Sequence, residues 1–210
     1  MKQETIVKAY RLWARIYHWS VPFYLLGQEG RLRREAVAAL DLHVGDTVLD
    51  LACGTGSNFT HLQREIGPSG RIIGFDYTPA MLAKARERVA RAGWDNVTLI
   101  RGDAAQLSLD APVDTALCTL ALTVIPGWRA AIGRTVDALR AGGTFAIADA
   151  KLNTHPLGRL LNPIARLMGW GAAADLSRRP WEEMQRHLAD VECHAFFLGG
   201  FFYVAQGRKA

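Results

Sequence analysis

The sequence predicts an α/β fold in which a mostly parallel sheet of seven strands carries helices on both faces and ends in an antiparallel hairpin. Three observations lead there. Short apolar runs alternate with helix-length segments through residues 47–148, half of the 210 residues are hydrophobic, and two aromatic runs near the C-terminus are separated only by Gly199-Gly200. Strands alternating with helices build a parallel sheet whose crossovers cover both faces. Two strands with no room for a helix between them must turn back on each other.

Each element has its own signal. Residues 47–52 (T-V-L-D-L-A) form an apolar run leading into glycines, a buried parallel strand. A helix over 57–65 follows, stopped by Gly67-Pro68-Ser69-Gly70. The second strand is 71–75. Thr78-Pro79 then opens a helix with a hydroxyl cap and proline at its first position, running through Met81, Leu82, Ala85 and Val89 to Gly93. Strands at 97–100 and 114–120, a helix at 128–139 closed by Gly142-Gly143, and a strand at 144–148 complete the rhythm. The hairpin strands are 191–198 and 201–206. The whole is a Rossmann-like unit over 1–210, with an amphipathic helical cap at 1–35, a core at 36–150, a helical cap insertion at 151–180, and a helix plus hairpin at 181–210.

Composition excludes several classes. Three scattered cysteines, Cys53, Cys118 and Cys193, rule out a disulfide scaffold, and neither they nor the six histidines show metal-ligand spacing, so no metal is expected. The longest apolar stretches fall short of the roughly 20 residues a bilayer span needs, and basic residues interrupt the N-terminus as they would not in a signal peptide. The expected address is cytoplasmic. The net charge of +5 is unevenly spread: residues 1–35 hold seven basic and three acidic side chains, and 151–179 hold five basic against Asp175. The intervening core is nearly neutral.

The chemistry-bearing signal is Val48-Leu49-Asp50-Leu51-Ala52-Cys53-Gly54-Thr55-Gly56. A strand ends in a glycine-rich turn that opens a helix, placing Gly54 and Gly56 at the carboxyl edge of the sheet, where ligands of open α/β folds bind. Read alone, such a turn is only a tight strand-to-helix connection. Asp76 ends the second strand 20 residues after Gly56, where an acidic side chain receives ribose hydroxyls. Asp103 follows the third strand at the same edge, a position that a helix cap would also explain. A dinucleotide is disfavoured because Phe59 stands where the third fingerprint glycine belongs and because Asp50 would repel a diphosphate. A ribose-bearing cation without phosphate meets both objections, and S-adenosylmethionine is such a ligand.

Here the sequence resembles the class I S-adenosylmethionine-dependent methyltransferases, through V-L-D-L-A-C-G-T-G (48–56), I-I-G-F-D-Y-T-P-A-M-L-A-K-A (72–85), I-R-G-D-A (100–104) and L-R-A-G-G-T-F-A-I-A-D (139–149). Arg140-Ala141 departs from the commoner proline before the glycines. The resemblance implies that Asp50, Ala52, Gly54 and Gly56 lie against the methionine end and that Asp76 holds the ribose. It further implies that Tyr77 and Ala104 sandwich adenine, that Asp103 takes its amino group, and that Thr119 lies beside the methyl.

The flanks bear on the acceptor. Over 6–19, Ile6, Tyr10, Trp13 and Tyr17 share one helical face while Lys8, Arg11 and Arg15 share the other; this fits a helix docked on the sheet or one lying on a membrane. Leu157, Leu160, Leu161, Ile164, Leu167 and Met168 repeat the spacing, broken at Asn162-Pro163. Basic groups attract anionic bilayers at about 1 kcal/mol each, which makes an anionic inner-membrane surface the expected partner. Nucleic acid ranks lower, since no reader motif is present. Tyr10-Arg11-Leu12-Trp13-Ala14-Arg15-Ile16-Tyr17 also resembles the Y-x-x-x-A-x-x-Y entry of bacterial phosphatidylethanolamine, betaine-lipid and quinone methyltransferases, with His18 where aspartate is common. That resemblance implies that Tyr10 and Tyr17 close over the donor. The expectation is a monomeric enzyme that N-methylates phosphatidylethanolamine, with Tyr17, Asp149 and His155 as candidate catalytic groups. Quinone C-methylation and a non-catalytic donor-binding subunit are the alternatives.

Overall fold

The computed structural model describes residues 27–163, 165–166, 174–196 and 200–210. Its seven-stranded sheet has the order β3-β2-β1-β4-β5-β7-β6. Helix α1 (Glu29–Ala38) precedes β1 (Thr47–Leu51), α2 (Phe59–Ile66), β2 (Arg71–Asp76), α3 (Pro79–Ala92) and β3 (Val97–Arg101). A 3-10 turn (Ala104–Gln106) leads to β4 (Val113–Thr119), α4 (Trp128–Ala138) and β5 (Leu139–Ala150). The short helices α5 (Pro156–Arg159) and α6 (Pro180–Met184) then precede β6 (Ala189–Phe196) and β7 (Phe202–Arg208). The first five strands are parallel; β7 runs antiparallel to β5, and β6 antiparallel to β7. The expected seven strands and terminal hairpin are the observed ones.

Strand alternation divides the core between the two faces. Successive residues of a strand point to opposite sides, so Val48, Leu117, Ala146 and Val204 pack with Leu32 of α1, Phe59 and Leu62 of α2 and Leu82 of α3. Their neighbours Leu49, Cys118, Phe145, Ile147 and Tyr203 pack with Trp128 and Ile132 of α4 and Met184 of α6. Each face buries a continuous apolar layer, as a doubly covered sheet requires.

Several boundaries differ from the sequence expectation, among them β6, which begins at Ala189, and β7, which runs to Arg208; two of the differences have a clear physical cause. Helix α2 begins at Phe59 because Ser57 and Asn58 still belong to the turn, and the Asn58 side chain is drawn into a buried polar network. Strand β5 begins at Leu139, directly after α4, so Gly142-Gly143 lies inside the strand. Gly142 has φ 71°, and a Cβ on Gly143 would come within 2.7 Å of the Asp114 carbonyl oxygen. These glycines serve a bend and a close backbone approach, which a local reading takes for a helix stop.

Candidate functional site

The strand order reverses between β1 and β4, so the loops after these strands diverge and open a crevice at the carboxyl edge. Both loops begin on a strained residue, Ala52 at φ 54° and Leu120 at φ 55°. Such conformations persist only where neighbours hold them. The Leu120 amide donates to the Ala148 carbonyl at 2.7 Å, and the Cys53 amide to that of Phe75 at 3.1 Å.

The two turn glycines do different work. Gly56 has φ 74°, and a Cβ there would lie 2.5 Å from the Phe59 ring, which fills the space beneath the turn. Gly54 has φ 56°, and among the described residues a Cβ there would meet nothing within 4 Å, so its outer side is open to a ligand. Asp76 grips the turn from β2: its Oδ2 accepts from the Gly54 amide at 2.8 Å and its Oδ1 from the Thr78 amide at 2.7 Å. Arg88 of α3 donates to the Thr55 carbonyl at 3.0 Å from the other side. Asp76 is 8% exposed, and burial raises its pKa despite the two backbone donors. With the Thr78 side chain as a third donor, at least one of its oxygens retains a lone pair for a ribose hydroxyl.

Beneath the turn lies a polar cluster. Asp50, fully buried in β1, accepts from Asn58 Nδ2 at 2.8 Å through Oδ1. Asn58 and Thr119 are joined by Arg33 of α1, whose Nη1 donates to Asn58 Oδ1 and to Thr119 Oγ1, each at 2.8 Å. Glu29 accepts from the same guanidinium at 2.8 Å. Asp50 Oδ2 has no partner among the described residues, and desolvation pushes the carboxyl up to about 7. A buried carboxylate oxygen without a donor is costly and is relieved by a cation.

The other expected site residues divide as follows. Tyr77 is exposed beside Asp76 and Ala104 is buried. Asp103 Oδ1 accepts from the Ala105 amide at 2.9 Å, capping the 3-10 turn that contains Ala104. Thr119 is buried with its hydroxyl bound to Arg33 and Asn58. Asp149 is buried at the end of β5, with Oδ2 accepting from the Thr123 amide and Oδ1 from the Thr123 hydroxyl, both at 3.1 Å, and from the Ala150 amide. Desolvation raises its pKa to about 6. His155 is exposed, at the N-cap of α5. Tyr10 and Tyr17, with the amphipathic segment 6–19, lie outside the described residues, as do Ile164, Leu167 and Met168. Nothing in the sequence singles out Arg33 or Asn58 as site residues: Arg33 sits in the basic N-terminal stretch, yet it is only 6% exposed. Among the described residues no group of three or more acidic, histidine or cysteine side chains could hold a metal ion.

A phosphate-free ribonucleoside cation fits these acceptors. The orphaned Asp50 oxygen suits positive charge, Asp76 suits a ribose, and the open outer side of Gly54 admits close approach. Fold and site together are similar to those of the class I S-adenosylmethionine-dependent methyltransferases. The chain belongs to the family described as a methyltransferase domain, whose model matches residues 42–194. It is 37% identical over 106 residues to an arsenite methyltransferase of Halobacterium salinarum, covering 50% of this chain and 27% of that protein. It is 32% identical over 125 residues to a demethylmenaquinone methyltransferase of Listeria monocytogenes, covering 59% of this chain and 53% of that protein. The chain thus spans about half or less of the length of these relatives. In fold it is similar to a phosphoethanolamine N-methyltransferase 2 of Haemonchus contortus, solved with phosphomonomethylethanolamine and S-adenosylhomocysteine. The TM-score is 0.71 at 14% identity, covering 87% of this chain and 53% of that one.

Proposed function

We propose that the chain transfers a methyl group from S-adenosylmethionine to the amine of a membrane-lipid headgroup, phosphatidylethanolamine first, at the surface of an anionic membrane. The observation that carries this reading is the segment following β5. Leu157 and Leu160 are 73% and 77% exposed and Leu161 is 37% exposed. Arg159 sits among them and Arg166 lies just beyond, both exposed. Exposed leucines interleaved with arginines match a bilayer interface, where apolar side chains enter the acyl boundary and cations meet lipid phosphates.

The donor supplies an electrophilic methyl on a sulfonium sulfur. The protein's part is alignment, because bringing a nucleophile and a methyl carbon into line supplies much of the catalysis of such a displacement. The amine nitrogen forms the new bond to carbon as the carbon–sulfur bond breaks towards sulfur, and the amine's proton leaves. His155, exposed at the start of α5 beside the leucines, is the side chain proposed to take that proton. Asp149 is proposed to act through Thr123, by holding the loop after β4 that borders the crevice. Tyr10 and Tyr17 are proposed to close over the donor. Quinone C-methylation is the second reading, favoured by the identity to demethylmenaquinone methyltransferases.

Incubation with labelled donor and vesicles of phosphatidylethanolamine, against vesicles carrying a demethylated quinone, tests the acceptor. Label is expected in the aminophospholipid; label confined to the quinone overturns the proposal. The double variant Leu157→Gln/Leu160→Gln is expected to bind vesicles at least about tenfold more weakly, since each leucine entering the bilayer contributes about 1.5–3 kcal/mol. Its melting temperature should not move, because both side chains already face solvent.

A further inference from the structure

Beyond the carboxyl end of β5 lies a cleft of about 370 Å³ whose charged lining among the described residues is all cationic: Lys151, Arg159, Arg166, Arg178 and Arg179. Two of the five have acidic partners just outside the cleft. Arg178 pairs with Asp175 at 3.3 Å and Arg179 with Glu182 at 3.1 Å. Lys151, Arg159 and Arg166 pair with no carboxylate among the described residues.

Lys151 is the telling member. It follows the last residue of β5, its amide donates to the Phe201 carbonyl at 2.8 Å, and the residue is only 8% exposed. Its ammonium sits 6.0 Å from the centre of the Trp181 ring, its one aromatic companion among the described residues. Burial pulls the ammonium's pKa below the usual value, with Cys193 opposing the shift and Arg179 adding to it. A buried cation without a counter-charge is strongly unfavourable, and an anion entering the cleft relieves that cost. Nearby, Asn153 is 3% exposed, and its Oδ1 has no donor among the described residues although its Nδ2 is bound to the Gly158 carbonyl. The cleft therefore offers several cations and one orphaned acceptor, which suits an anion carrying a hydrogen-bond donor close by. Two unpaired guanidinium forks lining the same cleft as an ammonium match a phosphoryl group better than a single carboxylate.

The cleft also abuts the crevice where methyl transfer is placed. Arg178 Nη1 donates to the carbonyls of Leu122 and Ile125 at 2.7 and 2.6 Å, both in the loop after β4. The Asp175 amide donates to the Thr123 carbonyl at 2.8 Å. One wall of the cleft is thus bonded directly to the loop that Asp149 holds.

We infer that this cleft binds the phosphoryl group of the acceptor, with Lys151, Arg159 and Arg166 as its counter-charges and Asn153 Oδ1 as the acceptor for a neighbouring amine or hydroxyl. The inference rests on the phospholipid reading above and adds the subsite that separates a phosphate-bearing acceptor from a neutral quinone.

The test is calorimetric titration of the full chain with glycerophosphoethanolamine and, separately, with inorganic phosphate. Glycerophosphoethanolamine is expected to bind, and Lys151→Met, which keeps the stem beside Trp181, should weaken it at least about tenfold, as losing one partner of a buried charge pair does. Arg166→Gln, at an exposed position, should weaken it by a smaller factor. Both variants should keep the affinity for S-adenosylmethionine and raise KM for phosphatidylethanolamine vesicles more than they lower kcat. Equal binding of the probe by wild type and both variants overturns the subsite even where phosphatidylethanolamine is methylated. Binding of inorganic phosphate alone, with vesicle methylation untouched by Lys151→Met, assigns the cleft to a free anion and also overturns it. Methylation confined to a quinone, with Lys151-dependent binding of the probe intact, removes the proposed function and leaves a phosphoryl site standing.

Discussion

The two halves of the carboxyl edge are electrostatic opposites. Around β1, β2 and the first glycine turn the buried Arg33 is already paired with Glu29, and the buried charges left to meet a ligand are the carboxylates Asp50 and Asp76, held by backbone amides and an asparagine. Beyond β5 the charged lining among the described residues is entirely cationic. A cationic donor and a phosphate-bearing acceptor would each find the opposite charge on its own side and the same charge on the other. The difference teaches that one fold can sort two ligands into adjacent compartments without a partition, since like-charge juxtaposition in a poorly solvated site costs several kcal/mol.

The division breaks most visibly if the donor half is damaged and the acceptor half responds. Asp76→Ala removes the acceptor of the Gly54 and Thr78 amides together with the proposed ribose ligand. Charged hydrogen bonds contribute about 1.5–3 kcal/mol each, so donor affinity should fall about a hundredfold in calorimetry. Vesicle binding should be unchanged; a matching loss there would mean that the halves are one site.

A finer probe is Asp50. Its carboxyl, raised to about 7 by desolvation, is protonated in the folded protein over a range where the unfolded chain is ionised. The folded state holds the extra proton, so its contribution to stability is present below the ordinary carboxylate range and is lost as pH rises towards 7. A cationic donor favours the ionised form. Donor affinity should therefore climb with pH, by up to about tenfold per unit below 7, and level off above it, with proton release detectable in buffers of different ionisation enthalpy. Asp50→Asn should flatten both profiles. A pH-dependent affinity surviving in that variant would move the titration elsewhere.

The same contrast governs what could be read in advance. The donor half was legible because its determinants are local: a strand, two glycines with positive φ, an aspartate closing the next strand. Each leaves a short-range signature, and Phe59 could be weighed against a third glycine from position alone. What joins these pieces was not legible. Arg33 reaches Thr119 across 86 positions of sequence, and Asp149 reaches Thr123 across 26. Nothing in the spacing of Arg31, Arg33 and Arg34 marks the middle one as buried. In the acceptor half the count of basic residues was visible, but which cations lack a partner depends on where Asp175 and Glu182 fall after folding. The glycines 142–143 misled because a bend inside a strand and a helix stop use the same residue.

The smallest expected effect separates two roles for Asp149. Its oxygens accept from the Thr123 amide, the Thr123 hydroxyl and the Ala150 amide, so a proton taken from substrate would compete with three existing bonds. Asp149→Asn keeps one acceptor oxygen, and the Thr123 hydroxyl can turn to receive the new amide, but the Thr123 or the Ala150 backbone N–H then loses its acceptor. The loss of stability should be about 1–2 kcal/mol, read as a shift in denaturant midpoint. Because burial raises this carboxyl to about 6, the folded state again holds the extra proton, and the wild-type contribution fades as pH rises through 6. The variant's deficit should therefore be larger at pH 5 than at pH 7. For activity, a residue that only positions the post-β4 loop lowers kcat a few-fold and leaves the acidic limb of the pH–rate profile in place. A limb that moves or vanishes in Asp149→Asn would instead make this carboxylate the base, in which case the Thr123 contacts must open during turnover and the boundary between the two halves is a working part rather than a wall.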